Sequence, residues 1–236
     1  LCDEIRQFLV EHVSKTGGHL ASNLGVVELT VAVETVFNTN KDRLVFDVGH
    51  QSYVHKLLTG RQADFAHLRQ FGGMAGFPKP SESDADAFVA GHASSSVSIA
   101  LGMARARTLM GENYDVIAVI GDGAFTGGMV HEALNNITPG LRLIIIINEN
   151  EMSISKNTGR FADSLSRIRI SEGYFNTKLA TARILKSIPL VGKWILKLLK
   201  SIKRAVKNSL YGSNYFENMG LYYLGPVDGN DIEAVE

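Results

Sequence analysis

Asp122 stands between two glycines at the end of an apolar run, in VIAVIGDGAFTGGMVHEALNN (residues 116–136). A tight turn accounts for the glycines but not for the carboxylate between them. Asn150 follows 28 residues later, at the end of a second apolar run, LIIIINEN. One helix and one strand fill that interval, so both tips can open on one crevice beyond the carboxyl edge of a parallel sheet, where such sheets bind ligands. The chemistry on offer is that of a hard cation. Mg²⁺ takes about six oxygen ligands and usually keeps some from phosphate and water. One carboxylate, one amide oxygen and a backbone carbonyl just after Asn150 make half of that set. The helix after GDGAFTGG adds free N–H groups and a positive dipole end, which favour a diphosphate. Taken singly, Gly-Asp-Gly is mostly a turn and a polar cluster after a strand is mostly a loop. Only the two together, at strand–helix–strand spacing, point to a metal holding a diphosphate.

The elements that must carry these tips are legible as alternating strands and helices. Residues 3–14 have apolar positions at helical spacing (Ile5, Phe8, Leu9, Val13), and KTGGHLASNLG follows as a glycine-broken loop. NLGVVELTVAVETVFN reads as one buried helix with Ser22 or Asn23 as its cap. DRLVFDVG reads as a strand entering a helix, HQSYVHKLLTG, that closes at Gly60; a short helix follows at 62–70. The glycines, prolines and acidic residues of FGGMAGFPKPSESDADAF predict a long surface loop. SSSVSIALGMARARTLMG predicts a helix ending at Gly111, DVIAVIG a strand, FTGGMVHEALNNI a helix and LRLIIIIN a strongly buried strand. The expected fold class is α/β, a doubly wound parallel sheet flanked by helices.

Bulk composition narrows the function classes. The 236 residues are 45% hydrophobic and 20% charged, with 24 basic and 24 acidic side chains, so the overall charge gives no pointer to nucleic acid. A single cysteine, Cys2, leaves no internal disulfide framework and fits a reducing, cytoplasmic setting. No apolar run approaches the ~20 residues of a membrane span. Residues 173–216 carry nine Lys or Arg and no Asp or Glu, with apolar residues at helical spacing broken by Pro189 and Gly192. A pair of basic helices at 182–210 is expected there. They could lie on an anionic membrane, bind an acidic partner, or cover the sheet with a solvated lysine face; the last is the commonest situation. The start at Leu1, with no methionine, and the end at DIEAVE suggest a fragment of a longer chain.

Several segments together resemble one family. GDG followed by about 27 residues and an Asn resembles the thiamine diphosphate motif. GGHLASNLGVVELTVA, DRLVFDVGHQSYVHKLLTGR, GFPKPSESDADAF, GHASSSVSIALGMA, NENEMSIS, IPLVGK and LGPVDGNDI resemble, in order, successive blocks of the transketolase-like 1-deoxy-D-xylulose-5-phosphate synthases. The resemblance implies a thiamine diphosphate-binding fold with a helical basic insertion, here about 173–216. It implies Mg²⁺ held by Asp122, Asn150 and the backbone carbonyl of Met152. It implies cofactor contacts from His50 and from Gly91, His92 and Ala93, completed by Gly123, Ala124 and Asn150. His19 and His50 become the catalytic candidates, His19 for proton transfer or for binding a sugar-phosphate intermediate, with Ser22 assisting. These three histidines each sit in a glycine-flanked loop, whereas His12, His55, His67 and His131 read as ordinary packed or solvated side chains.

Two positions depart from the family pattern. Ala93 stands where a serine is expected, so a hydroxyl contact is lost, and NEN replaces NDN, with Glu149 outside the metal's ligands. The implied reaction condenses pyruvate with glyceraldehyde 3-phosphate to 1-deoxy-D-xylulose 5-phosphate and CO₂, for isoprenoid, thiamine and pyridoxal synthesis. Family members are homodimers. The glutamate that activates the cofactor's aminopyrimidine ring comes from a second, pyrimidine-binding domain with no counterpart here. The chain is therefore expected to be the diphosphate-binding domain alone, inactive by itself. Alternatives are a subunit of a split transketolase-like enzyme, a membrane- or nucleic-acid-binding module using the basic helices, and a catalytically dead interaction domain. The presence of both Asp122 and Asn150 weighs against the last.

Overall fold

The computed structural model describes residues 1–149 and 215–236. The chain divides into two units, Leu1–Asn157 with Val227–Glu236, and Thr158–Pro226. In the first, β1 (Arg43–Phe46), β2 (Val116–Gly121) and β3 (Ile144–Asn148) form a parallel sheet in the order β1-β2-β3. Gly121 pairs with Asn148, so β2 and β3 end level. Side chains alternate across the pleat. Leu44, Phe46, Ile117 and Val119 pack against Leu29 and Val33 of α3 (Val27–Val36) and against Val26 just ahead of it. Val116 and Ala118 face α5 (Ser96–Met110) through Ala100 and Ala104. Helices thus cover both faces of the sheet, the expected doubly wound arrangement. A second core gathers α1 (Cys2–Thr16), α3, α4 (Tyr53–Leu58) and a 3-10 turn at Ala63–His67 around Leu9, Tyr53 and Phe65. The remaining helices of this unit are α2 (Leu20–Leu24), α6 (Asp122–Phe125) and α7 (Gly128–Asn135), with a short α9 (Ile232–Val235) near the end of the chain. In the second unit the described residues include α8 (Tyr215–Asn218), where the rings of Phe216 and Tyr223 stack 5.4 Å apart.

Three local expectations need correction. The single helix read over 23–38 is two, α2 and α3, broken at Gly25 and Val26. Asn23 lies inside α2, and α3 has no side-chain cap. β3 is half-buried along its whole length rather than strongly buried. It lies at the edge of the described sheet, with β2 on one side. The segment 71–88 has no helix or strand, as expected, but it is not a plain surface loop, since Met74, Pro78, Ala85 and Asp86 are all buried. The basic helices expected at 182–210 lie outside the described residues.

A cluster of charges holds that segment down. Asp86 accepts from both terminal nitrogens of Arg61 (2.7 and 2.8 Å), from His55 Nε2 (3.1 Å) and from the backbone N–H of Lys79 (2.7 Å). His55 Nδ1 donates to Glu34, and Lys56 Nζ donates to Glu82 (2.7 Å), which also accepts from the Ala75 N–H (2.8 Å). Burial alone would lower the proton affinity of His55, but its bonds to Asp86 and Glu34 outweigh burial and hold it above the ordinary imidazole range. Burial would likewise raise Asp86, yet the donors around it hold it well below the usual carboxylate range. Both ring nitrogens of His55 face carboxylates, so the charged imidazolium is the form that fits. His55, read from the sequence as an ordinary packed residue, is indeed a satisfied core histidine.

Removing Asp86 takes from Arg61 its bidentate carboxylate in the core and leaves His55 with Glu34 alone. Asp86→Ala is expected to cost about 3–5 kcal/mol in urea denaturation. The charge on His55 stabilises the fold fully below the ordinary value of about 6.5, and that contribution is lost as pH rises through its raised value. The stability gap between the protein and His55→Gln should therefore narrow as pH rises above that point, measured by denaturant midpoints at a series of pH values.

Candidate functional site

Several loops meet at the carboxyl ends of β1 and β2. Asp47, directly after β1, is 1% exposed, and its backbone N–H continues the ladder to Val119 O (2.7 Å). Its two side-chain oxygens accept from the N–H groups of Ser94 (2.8 Å) and Ser96 (2.9 Å). This draws the GHASSS loop and the start of α5 onto the strand tip. Ser94 Oγ in turn donates to Ala124 O in α6 (2.7 Å), joining that loop to the segment after β2. Gly127 completes the contact, since a Cβ there would lie 2.1 Å from Ser94 Oγ.

The turn from Asp47 to His50 is tight. Gly49 N–H donates to Asp47 O (2.6 Å) around Val48, whose φ of 59° is unusual for a β-branched residue. Gly49 has φ 92° and packs under Pro78, Ala90 and Phe77, so a side chain there would collide with the 71–90 segment. The clamped segment thereby comes to lie over the site.

His19 and His50 meet with ring centroids 5.5 Å apart at 76°, and Phe77 lies 6.4 Å from His19. His19 is exposed at the start of α2; Ser22 Oγ donates to its carbonyl (3.4 Å). His50 is half-buried, and its Nδ1 is buried without a hydrogen-bond partner among the described residues. Burial, and then the neighbouring charge of His19, push its proton affinity below the ordinary imidazole range, while Asp47 pulls the other way.

Asp122 opens α6 at the tip of β2 and is 5% exposed. One oxygen accepts from the Gly123 N–H (2.8 Å); the other, Oδ2, is buried and has no hydrogen-bond partner among the described residues. An orphaned carboxylate oxygen is costly unless a cation or donor satisfies it. Among the described residues no three His, Cys, Asp or Glu side chains converge as a metal centre, so a cation here would complete its shell from other groups. Gly123 and Ala124 line the same turn, half-buried, while Gly91, His92 and Ala93 are exposed on the loop that Asp47 anchors. Asn150 and Met152 lie outside the described residues.

Of the other histidines, His12 stacks on Phe8, exposed His67 bonds Gln70 and His131 packs edge-on to Phe125, in keeping with their ordinary reading. Asp47, Ser94, Asn23 and Phe77 were missed in the sequence. Asp47 carried only part of the signal that singled out Asp122, an acidic residue at an apolar strand's end, with its glycine, Gly49, two residues on rather than adjacent.

The same sequence resembles known proteins. A family model described as 1-deoxy-D-xylulose-5-phosphate synthase matches residues 1–236. The synthase of Clostridium kluyveri is 54% identical over 98% of this chain, and that of Clostridium tetani 53% over 100%. The chain spans only 37% and 38% of their lengths. Among solved structures, transketolase from Leishmania mexicana is similar with a TM-score of 0.61 at 21% identity, covering 69% of this chain and 29% of its own. A Pichia stipitis transketolase gives 0.56 at 24%, covering 65% and 27%. At that identity the structural likeness speaks for the fold alone.

Asp47→Ala would leave two loop N–H groups without their charged acceptor. It is expected to lower stability by about 3 kcal/mol and to speed proteolytic cleavage within residues 87–95, read by urea titration and limited digestion.

Proposed function

We propose a function on the premise that this chain belongs to the 1-deoxy-D-xylulose-5-phosphate synthase family, which its match over residues 1–236 establishes. It is the diphosphate-binding domain of a transferase that condenses pyruvate with glyceraldehyde 3-phosphate to 1-deoxy-D-xylulose 5-phosphate and CO₂. The pyrimidine-binding domain and its activating glutamate belong to the remainder of a longer, homodimeric, cytoplasmic protein. The observation that carries the reading is the buried, unpartnered Oδ2 of Asp122 at a strand tip. It fits a Mg²⁺ ion shared with a diphosphate, with Asn150 and Met152 as the further ligands. Among the described residues no helix is long and apolar enough to cross a membrane.

Thiamine diphosphate, when bound, supplies the electron sink for breaking and making carbon–carbon bonds. The chain's own residues hold and orient it. Asp122 would hold the cation, the turn at Gly123 and Ala124 would let the backbone approach the phosphates, and Gly91, His92 and Ala93 on the anchored loop would contact the cofactor. His50, held toward its neutral form, can donate from one ring nitrogen and accept at the other. His19, exposed beside it, is the candidate for proton transfer or for binding a sugar-phosphate intermediate.

In the full-length protein, Asp122→Ala is expected to weaken Mg²⁺-dependent thiamine diphosphate binding on the order of a hundredfold and to abolish carboligation of pyruvate with glyceraldehyde 3-phosphate. Unchanged affinity in a calorimetric titration would overturn the ligand assignment.

A further inference from the structure

His19 and His50 come from separate parts of the chain. One follows α1 and the other follows β1. Among the described residues no backbone–backbone hydrogen bond joins residues 17–25 to residues 47–53. Neither imidazole has a ring hydrogen bond among the described residues, so the placement of both rings depends on how their backbones are held.

Asn23 supplies that hold. Its carboxamide is 0% exposed and fully used. Nδ2 donates one hydrogen to His19 O (2.6 Å) and the other to His50 O (2.8 Å), while Oδ1 accepts from the N–H of Tyr53, the first residue of α4 (2.8 Å). Two donors and an acceptor in one rigid plane are what a carboxamide has and what a hydroxyl or a carboxylate lacks. A second, weaker link runs from the His19 N–H to the Tyr53 hydroxyl (3.4 Å). It touches only one of the two histidine backbones.

We infer that Asn23 is the positioning residue that sets the separation of the His19 and His50 imidazoles. The roles of those histidines rest on the function proposed above; the role of Asn23 in spacing them does not. An asparagine on the buried side of a short helix is costly unless every polar atom is met, and here each one meets a backbone atom of the site. Asn23→Asp keeps the volume and the acceptor for Tyr53 but sets a carboxylate oxygen against two carbonyls. Asn23→Ser keeps a single donor in a smaller side chain.

The spacing can be read through the charge that one ring exerts on the other. In the full-length protein carrying ¹³C at histidine Cε1, His19→Gln should raise the titration midpoint of His50, because a neighbouring positive charge is removed; Asp47, the other charge acting on His50, is present in both proteins. In the Asn23→Asp background the same His19→Gln change should move His50 less than half as far. This comparison cancels the direct effect of the new carboxylate. If Asn23→Asp does not fold, Asn23→Ser gives the same comparison. The activity arm expects kcat to fall on the order of tenfold to a hundredfold in either variant, with thiamine diphosphate affinity much less changed. An equal shift of His50 in both backgrounds overturns the inference, even if the variant is less stable. Absence of carboligation in the unaltered protein would overturn the functional reading instead, and the titration comparison would still decide the role of Asn23.

Discussion

A carboxylate sealed from water at the end of a strand survives only if donors replace its hydration. Asp47 receives them from the backbone N–H groups of Ser94 and Ser96, 47 and 49 residues further on. The two bonds fix a loop that has no regular structure of its own, cap the start of α5 and bring Ser94 against Ala124. The tips of β1 and β2 thereby become one surface. The lateral order of parallel strands places those tips side by side; Asp47 converts adjacency into a shared site.

The elements that follow from apolar periodicity were legible in advance. β1, β2, α1 and α5 fall where alternation or helical spacing put them, because burial of a continuous apolar face dictates both the period and the length. The errors have physical reasons. The helix read across residues 23–38 ignored Gly25, where α2 ends. The run of isoleucines in β3 reads as deeply buried, yet burial depends on neighbours on both sides of a strand, and sequence hydrophobicity does not count them. Proline and glycine in 71–88 correctly excluded regular structure but said nothing of Asp86, whose partners, Arg61 and His55, lie 25 and 31 residues away.

Legibility of the site divides along the same line. His19, His50 and Asp122 announce themselves because reactive side chains stand beside glycines. The residues that hold them do not. Asn23 resembles a helix cap in sequence, and only the folded chain shows its amide spanning two loops. Residues that touch ligands carry chemical signatures, whereas residues that orient them are recognised by partners distant in the chain. Val48 and Ser94, both at positive φ without being glycine, belong to the second kind. Their backbone strain lies in the turns that aim His50 and the 91–93 loop, where a relaxed conformation would point elsewhere.

The charges gathered on Asp86 also set how the protein responds to its ionic surroundings. Exposed pairs such as Lys15 with Glu11 fade as electrolyte accumulates around them. Asp86 and Lys56 are fully shielded and His55 and Arg61 nearly so, and mobile ions do not reach them. Brine strong enough to dissolve the surface pairs would leave the segment bearing Phe77 seated, so the ring beside His19 is insulated from changes in ionic strength.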